Sequence, residues 1–271
     1  MIIDGNNFIG HYLKNDKPLC AGKYGGNELQ LLYCFKTGNN PWGSVFIEEC
    51  EKVAGLYPCN GEMIKWFGDY IFSNQKHIDL LATWNKNLPD FEHSLVTENT
   101  YKCQLQHLEP YFHSKPWTDY LKDKNVLVVS PFANTIEQNY KKINDIWNDK
   151  LNLDFNLKVL KYPTSIPITK NSPYKNSKEI FNEYVDKISK IDYDIAIYGT
   201  GFTGLMFAIE SKKQNKTGIH LGGATQILFG IKGRRWDLNP DFKDFFNESW
   251  SYPSEEETPE LAKQVEGGCY W

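Results

Sequence analysis

Arginine is almost missing from this chain. Of 271 residues only Arg234 and Arg235 are arginines, although lysine and arginine together number 30. Positive charge is not in excess either, because the formal net charge is −4. Nonspecific nucleic-acid binding relies on a positive field, so no nucleic-acid partner is expected. No apolar run approaches the roughly 18 residues of a membrane-spanning helix, so no transmembrane segment is expected. The first residues lack a basic stretch followed by an apolar run, so no signal peptide is expected. Six cysteines are present and none forms a C-x-x-C pair. That spacing does not resemble a zinc site, and reduced thiols in a cytoplasmic protein are the expectation. Internal repeats and low-complexity linkers are absent as well.

Hydrophobic residues make up 41% of the chain and aromatics 15%, enough for a core and for lining a site that takes a ring-shaped ligand. With no linker to divide it, the chain reads as a single α/β domain, 1–271. Its polar, proline-containing stretch 237–271 is an extension packed on the body. Apolar runs alternate between strand and helix patterns. Strands are expected at 18–24, 77–83, 125–130, 194–198 and 217–221. Helices are expected at 28–35, 44–55, 62–72, 134–150, 202–214 and 224–231. Such alternation implies a Rossmann-like doubly wound, mostly parallel sheet with helices on both faces. Ligands bind beyond the carboxyl ends of strands in these sheets. The rule selects segments 25–28, 131–134, 199–204 and 220–225.

Gly199, Thr200, Gly201 and Phe202 open a G-x-G-x-x-G turn between a strand and a helix. Glycines there allow a tight turn and close approach to a phosphate, and the helix start supplies free N–H groups. A dinucleotide would also need an acidic residue ending the next strand, and Gly218-Ile219-His220-Leu221 has none. The pyrophosphate of another ligand fits better. His220 is either a general base or a satisfied strand-end histidine. Gly222 and Gly223 follow it, and Thr225 and Gln226 fall in the first turn of a short helix, where side chains can face a ligand. Lys232, Arg234 and Arg235 then set three cations beside Trp236. Arginine holds phosphate through a planar fork, so two adjacent arginines in a chain that otherwise avoids them are a lead. Asn134 is expected to cap the helix after 125–130, and Glu255, Glu256 and Glu257 to lie in a solvated loop.

Lys23, Gly25, Gly26, Asn27 and Glu28 belong to a second turn, K-Y-G-G-N-E, with Glu28 opening a helix. The helix dipole favours an ionised carboxylate there, able to accept a proton, hold sugar hydroxyls or bind a metal. This turn resembles the R-[FY]-G-D-G-E motif of GT-D-type glycosyltransferases, and the resemblance extends over residues 15–235. It is greatest to relatives from polysaccharide gene clusters that carry L-G-G-A-x-Q-x-L-F-G-I-K-G-x-R-W and end in C-Y-W, as 221–236 and 269–271 do here. The resemblance implies a Rossmann-like enzyme moving a sugar from a nucleotide-sugar donor to a glycan or lipid-linked acceptor. Such an enzyme would be cytoplasmic or peripheral at a membrane surface, with a homo-oligomer left open. It implies Glu28 and His220 as catalytic candidates and a Mn or Mg ion at Glu28. Two departures stand out. The motif's Asp aligns with Gly26, and the family's Gly-His pair aligns near Leu221-Gly222-Gly223. Either the metal is held differently, or Lys232, Arg234 and Arg235 offset the diphosphate charge instead. The alternatives are a non-catalytic nucleotide- or glycan-binding protein, and another Rossmann-type enzyme such as a methyltransferase or dehydrogenase.

Overall fold

Seven short strands line up in parallel in a computed structural model that describes residues 2–169 and 171–271. They are β1 (Cys20–Lys23), β2 (Leu80–Ala82), β3 (Tyr101–Cys103), β4 (Asn125–Ser130), β5 (Asn156–Lys161), β6 (Ile195–Tyr198) and β7 (Thr217–His220). Their order across the sheet is β3-β2-β1-β7-β6-β4-β5. The central strands are apolar on both sides because both faces are covered. Alternate residues of β4 point to opposite cores: Leu127 and Val129 to one, Val126 and Val128 to the other. The first core packs helices Gly26–Thr37, Gly61–Asn74, Ser177–Ser189 and Thr203–Lys213 on one face. The second packs Gly5–Lys14, Ala133–Tyr140, Ile143–Trp147 and Ala224–Leu228 on the other. This is the doubly wound α/β architecture expected above.

β4 connects outward to β5 at the sheet edge, whereas its neighbour β6 connects inward to β7. Connections leaving in opposite directions open a crevice beyond the strand ends. The segment 237–271 packs on the body. Phe242 and Trp250 join the second core, and the Trp250 indole donates to the Ile146 carbonyl at 3.0 Å.

Three expectations need correction. The helix over 134–150 is two helices, Ala133–Tyr140 and Ile143–Trp147. The chain leaves helical geometry at Lys142, which turns Ile143, Ile146 and Trp147 into the second core, and Asn148 ends the second helix in the left-handed region. Asn134 does not cap the first of these helices. Its N–H donates instead to Glu257 Oε1 at 2.6 Å, while Thr135 N–H and hydroxyl donate to Glu257 Oε2. Glu257 is therefore a buried cap rather than a solvated loop residue. Among the elements with no expectation are helices Gly5–Lys14, Pro89–Ser94, Ser177–Ser189 and Arg234–Asp237 and the strands β3 and β5. All six cysteines are buried free thiols. Among the described residues no helix is long and apolar enough to cross a membrane.

Candidate ligand-binding site

Four loops selected by the strand-end rule meet around one cavity of about 620 Å³. Lys23, Gly25, Gly26, Asn27 and Glu28 line it beyond β1. Pro131 and Phe132 line it beyond β4, and Gly199, Thr200, Gly201 and Phe202 beyond β6. Past β7 come His220, Gly222, Gly223, Thr225 and Gln226. Val53, Ile168, Val265, Tyr270 and Trp271 belong to a third, small apolar cluster that also borders the cavity. Three separate stretches of chain thus form one wall.

Gly201 takes φ +59°, and a Cβ there would lie 2.5 Å from the Ala54 carbonyl oxygen, so only glycine suits this turn. Thr203 steadies it by donating its hydroxyl to the Thr200 carbonyl at 2.8 Å. The third glycine of the motif, Gly204, faces the His220 ring, which a Cβ would overlap. It serves helix–strand packing rather than ligand contact.

Three helices that begin elsewhere carry side-chain caps: Asp4 accepts from Asn7 N–H, Asn60 from Met63 N–H and Asn176 from Glu179 N–H. Gly26–Thr37 and Thr203–Lys213, which begin at the cavity, have none. Of their first N–H groups, that of Glu28 is engaged by its own carboxylate and that of Gly204 donates to the Gly201 carbonyl at 3.1 Å, while both helix dipoles start at the cavity. Thr200 and Thr225 are buried there, and neither hydroxyl meets a hydrogen-bond partner among the described residues. Buried hydroxyls are normally paired, so these two keep hydrogen-bonding capacity at the cavity wall.

Charge is mixed and close. Glu28 folds back over Gly25, where a Cβ would overlap its carboxylate. Burial raises its carboxyl above the ordinary carboxylate range, against the pull of its own N–H, Lys23 and Arg235. The helix dipole alone led to the expectation of an ionised group, and desolvation outweighs it. Burial lowers Lys23, opposed by Glu109 and Glu28 and reinforced by Arg235. Arg235 donates to the Tyr270 hydroxyl at 3.1 Å and pairs with Glu266, which fixes its fork at the cavity.

The other two cations do not face in. Arg234 is exposed and donates to the Gly267 carbonyl at 2.9 Å. Lys232 lies over the rings of Phe246 and Tyr252 at 5.4 and 6.0 Å. Neither lines the cavity, which corrects the three-cation reading. Gln226 is largely committed, its amide donating to the Tyr270 carbonyl at 2.9 Å.

His220 Nδ1 bonds the Tyr198 carbonyl at 3.2 Å, leaving Nε2 as an acceptor. Burial first, and Lys23 second, push its pKa down to about 3. That is too weak a base to take a hydroxyl proton at neutral pH, so the general-base role is corrected to that of a neutral hydrogen-bonding ring. A depressed folded pKa means the unfolded state binds the proton first. The stability held by neutral His220 is complete above its ordinary 6.5 and is lost as pH falls from there toward about 3. The expected slope is about 1.4 kcal/mol per pH unit. His220→Asn can keep the donated bond but cannot titrate. In urea melts from pH 7 to 5 the native chain should lose stability faster than this variant, and parallel slopes would refute the assignment.

A divalent cation does not suit the donor set at Glu28. Its charged neighbours are Lys23 and Arg235, and the described residues hold no cluster of three His, Cys, Asp or Glu able to ligate a metal.

Sequence reasoning missed Trp84, Gln106, Glu109 and Phe112, which line the side beyond β2 and β3. The strand-end rule applied to 77–83 reaches Trp84. Glu109 had no signal, because three-residue β3 and the two short helical turns after it leave no periodicity. No protein-family model matches the chain, and no curated protein matches it either.

Proposed function

We propose that this cavity binds the diphosphate of a nucleotide sugar and transfers the sugar to a hydroxyl of a glycan or lipid-linked acceptor, as in surface polysaccharide synthesis. One observation carries the reading: Thr200 and Thr225, whose hydroxyls have no partner among the described residues, line one cavity with Arg235 and with Phe202 at the uncapped start of Thr203–Lys213. Hydroxyls, free N–H groups and a guanidinium are what a diphosphate takes up. Arg235 and Lys23 stabilise the charge that develops on the leaving diphosphate. Glu28, which feels both cations, accepts hydrogen bonds from donor-sugar hydroxyls. Trp236, which borders the cavity and packs edge-on against Phe242 at 5.1 Å, offers its indole to the base or ribose. A lipid-linked acceptor would bring the chain to a membrane surface.

The test is thermal stabilisation against nucleoside diphosphates and nucleotide sugars, with nicotinamide and methyl-donor cofactors as the competing set. A ligand at 100 times its Kd adds about 2.7 kcal/mol. A shift with one nucleoside diphosphate is the expected result. A shift only with a nicotinamide or methyl-donor cofactor would replace the proposal, and no shift with any diphosphate would end it.

A further inference from the structure

The groups assigned above to the diphosphate leave the cavity wall beyond β2 and β3 without a role. Trp84 follows β2 and keeps 40% of its surface exposed. Its indole N–H donates to the Tyr24 carbonyl at 3.0 Å, and the Lys23 ammonium lies 5.3 Å from its ring centroid. The ring is thus fixed in place but still open to solvent. Glu109 lies between the two helical turns after β3 and Phe112 ends the second; both line the cavity, and Glu109, like Trp84, has Lys23 as a neighbour. A fixed aromatic ring and a carboxylate that flank one lysine in a cavity suit a pyranose, whose C–H face stacks on the ring while its hydroxyls meet the oxygens.

The two cavity carboxylates differ in their surroundings. Glu28 is engaged by its own backbone N–H and sits with both Lys23 and Arg235. Glu109 faces Lys23 and the buried Tyr111 hydroxyl, and burial raises its carboxyl above the ordinary range. With fewer groups holding its negative charge, it is the freer of the two to accept a proton. The ends of β2 and β7 lie two strands apart across β1, about 10 Å, which is room for one donor sugar beside Glu28.

We infer that this wall is the acceptor subsite, where a pyranose ring of the acceptor glycan lies on Trp84 and Glu109 takes the proton of its attacking hydroxyl. The inference rests on the glycosyl-transfer reading above. In the step, the acceptor O–H bond breaks and its proton moves to Glu109. The acceptor oxygen bonds to the anomeric carbon of the donor. The bond from that carbon to the diphosphate breaks, and the nucleoside diphosphate leaves with the electron pair.

The full chain, saturated with the nucleoside diphosphate that shifts its melting, is tested against methyl α- and β-pyranosides of glucose, galactose, mannose, rhamnose and N-acetylglucosamine. Saturation-transfer NMR reads binding. At least one pyranoside should bind the native chain and Trp84→Phe, and bind Trp84→Ala about tenfold more weakly. The diphosphate melting shift of Trp84→Ala should persist, showing that the variant is folded. With that pyranoside as acceptor and the matching nucleotide sugar as donor, Glu109→Gln should lower kcat about 10²- to 10⁴-fold with KM little changed. Diphosphate binding without any pyranoside signal, or a signal indifferent to Trp84→Ala, overturns the subsite and leaves the donor reading standing. Native kcat in Glu109→Gln, or pyranoside binding with no transfer, overturns the role of Glu109. Silence from every diphosphate and every pyranoside removes both readings.

Discussion

Arg235→Ala is expected to weaken nucleoside diphosphate binding roughly 10- to 100-fold, the range of one or two charge-assisted hydrogen bonds. Arg234→Ala should leave it almost unchanged. The two residues are adjacent and alike in type, and they differ in where their side chains go. Arg235 lines the cavity and Arg234 reaches the Gly267 carbonyl outside it. Both brace the turn at 266–267, since Arg235 pairs with Glu266, so Arg234→Ala also controls for a loosened turn. Arg235→Lys keeps the charge and loses the fork, and should fall between the two. Isothermal titration with the diphosphate found in the melting panel decides the matter. Equal losses in the two alanine variants would mean that neither guanidinium meets the phosphate.

Gly218→Ala should cost about 3 kcal/mol or more, the upper end of overpacking, read as a lower urea midpoint. A Cβ at Gly218 in β7 would lie 2.5 Å from Ala208 Cα and 2.7 Å from its carbonyl oxygen. Both atoms are backbone of the helix Thr203–Lys213, so no side chain can turn away. Relief requires the helix to lift from the sheet, which would also move the Thr200 turn at its start. The same substitution at Gly61 meets nothing within 4 Å. Gly61 opens a helix, and Gly61→Ala should be stabilising by about 0.4–1 kcal/mol through the unfolded chain. A Gly218→Ala protein with an unchanged midpoint would show that the helix and strand are not packed this closely.

Long apolar segments were legible. The run at 125–130 and the strand–turn–helix at 194–214 follow the periodicities of their elements, and both were placed within a few residues. Elements that the local pattern underdetermines were not. β5 reads Asn-Leu-Lys-Val-Leu-Lys and is a half-exposed edge strand, with lysines where a buried strand would carry valines. The helix Gly5–Lys14 begins at an Asp cap before only a few apolar residues, and it is held largely by the second core. The expected helix over 134–150 had helical periodicity throughout. It ends at Tyr140, where Lys142 leaves helical geometry, and the Asn139 amide near that end bonds the Phe229 and Gly230 carbonyls, at 2.9 and 3.1 Å and 90 and 91 residues away in the chain.

By itself the sequence determined the alternation of strand and helix, and with it a parallel sheet, a crevice at the strand ends and the loops that line it. Those follow from local periodicity and from the right-handed connections that it allows. Tertiary structure decided which members of each motif face inward. Arg234 and Arg235 lie on one short helix, where successive side chains point about 100° apart, so one reaches the cavity and the other does not. It also decided that Glu257 closes a helix start and that burial leaves His220 neutral. Trp84 and Glu109 were brought to the same wall in the same way, from separate strand ends. Each of these depends on contacts between distant parts of the chain, and on the desolvation they impose, which neighbouring residues in the sequence do not encode.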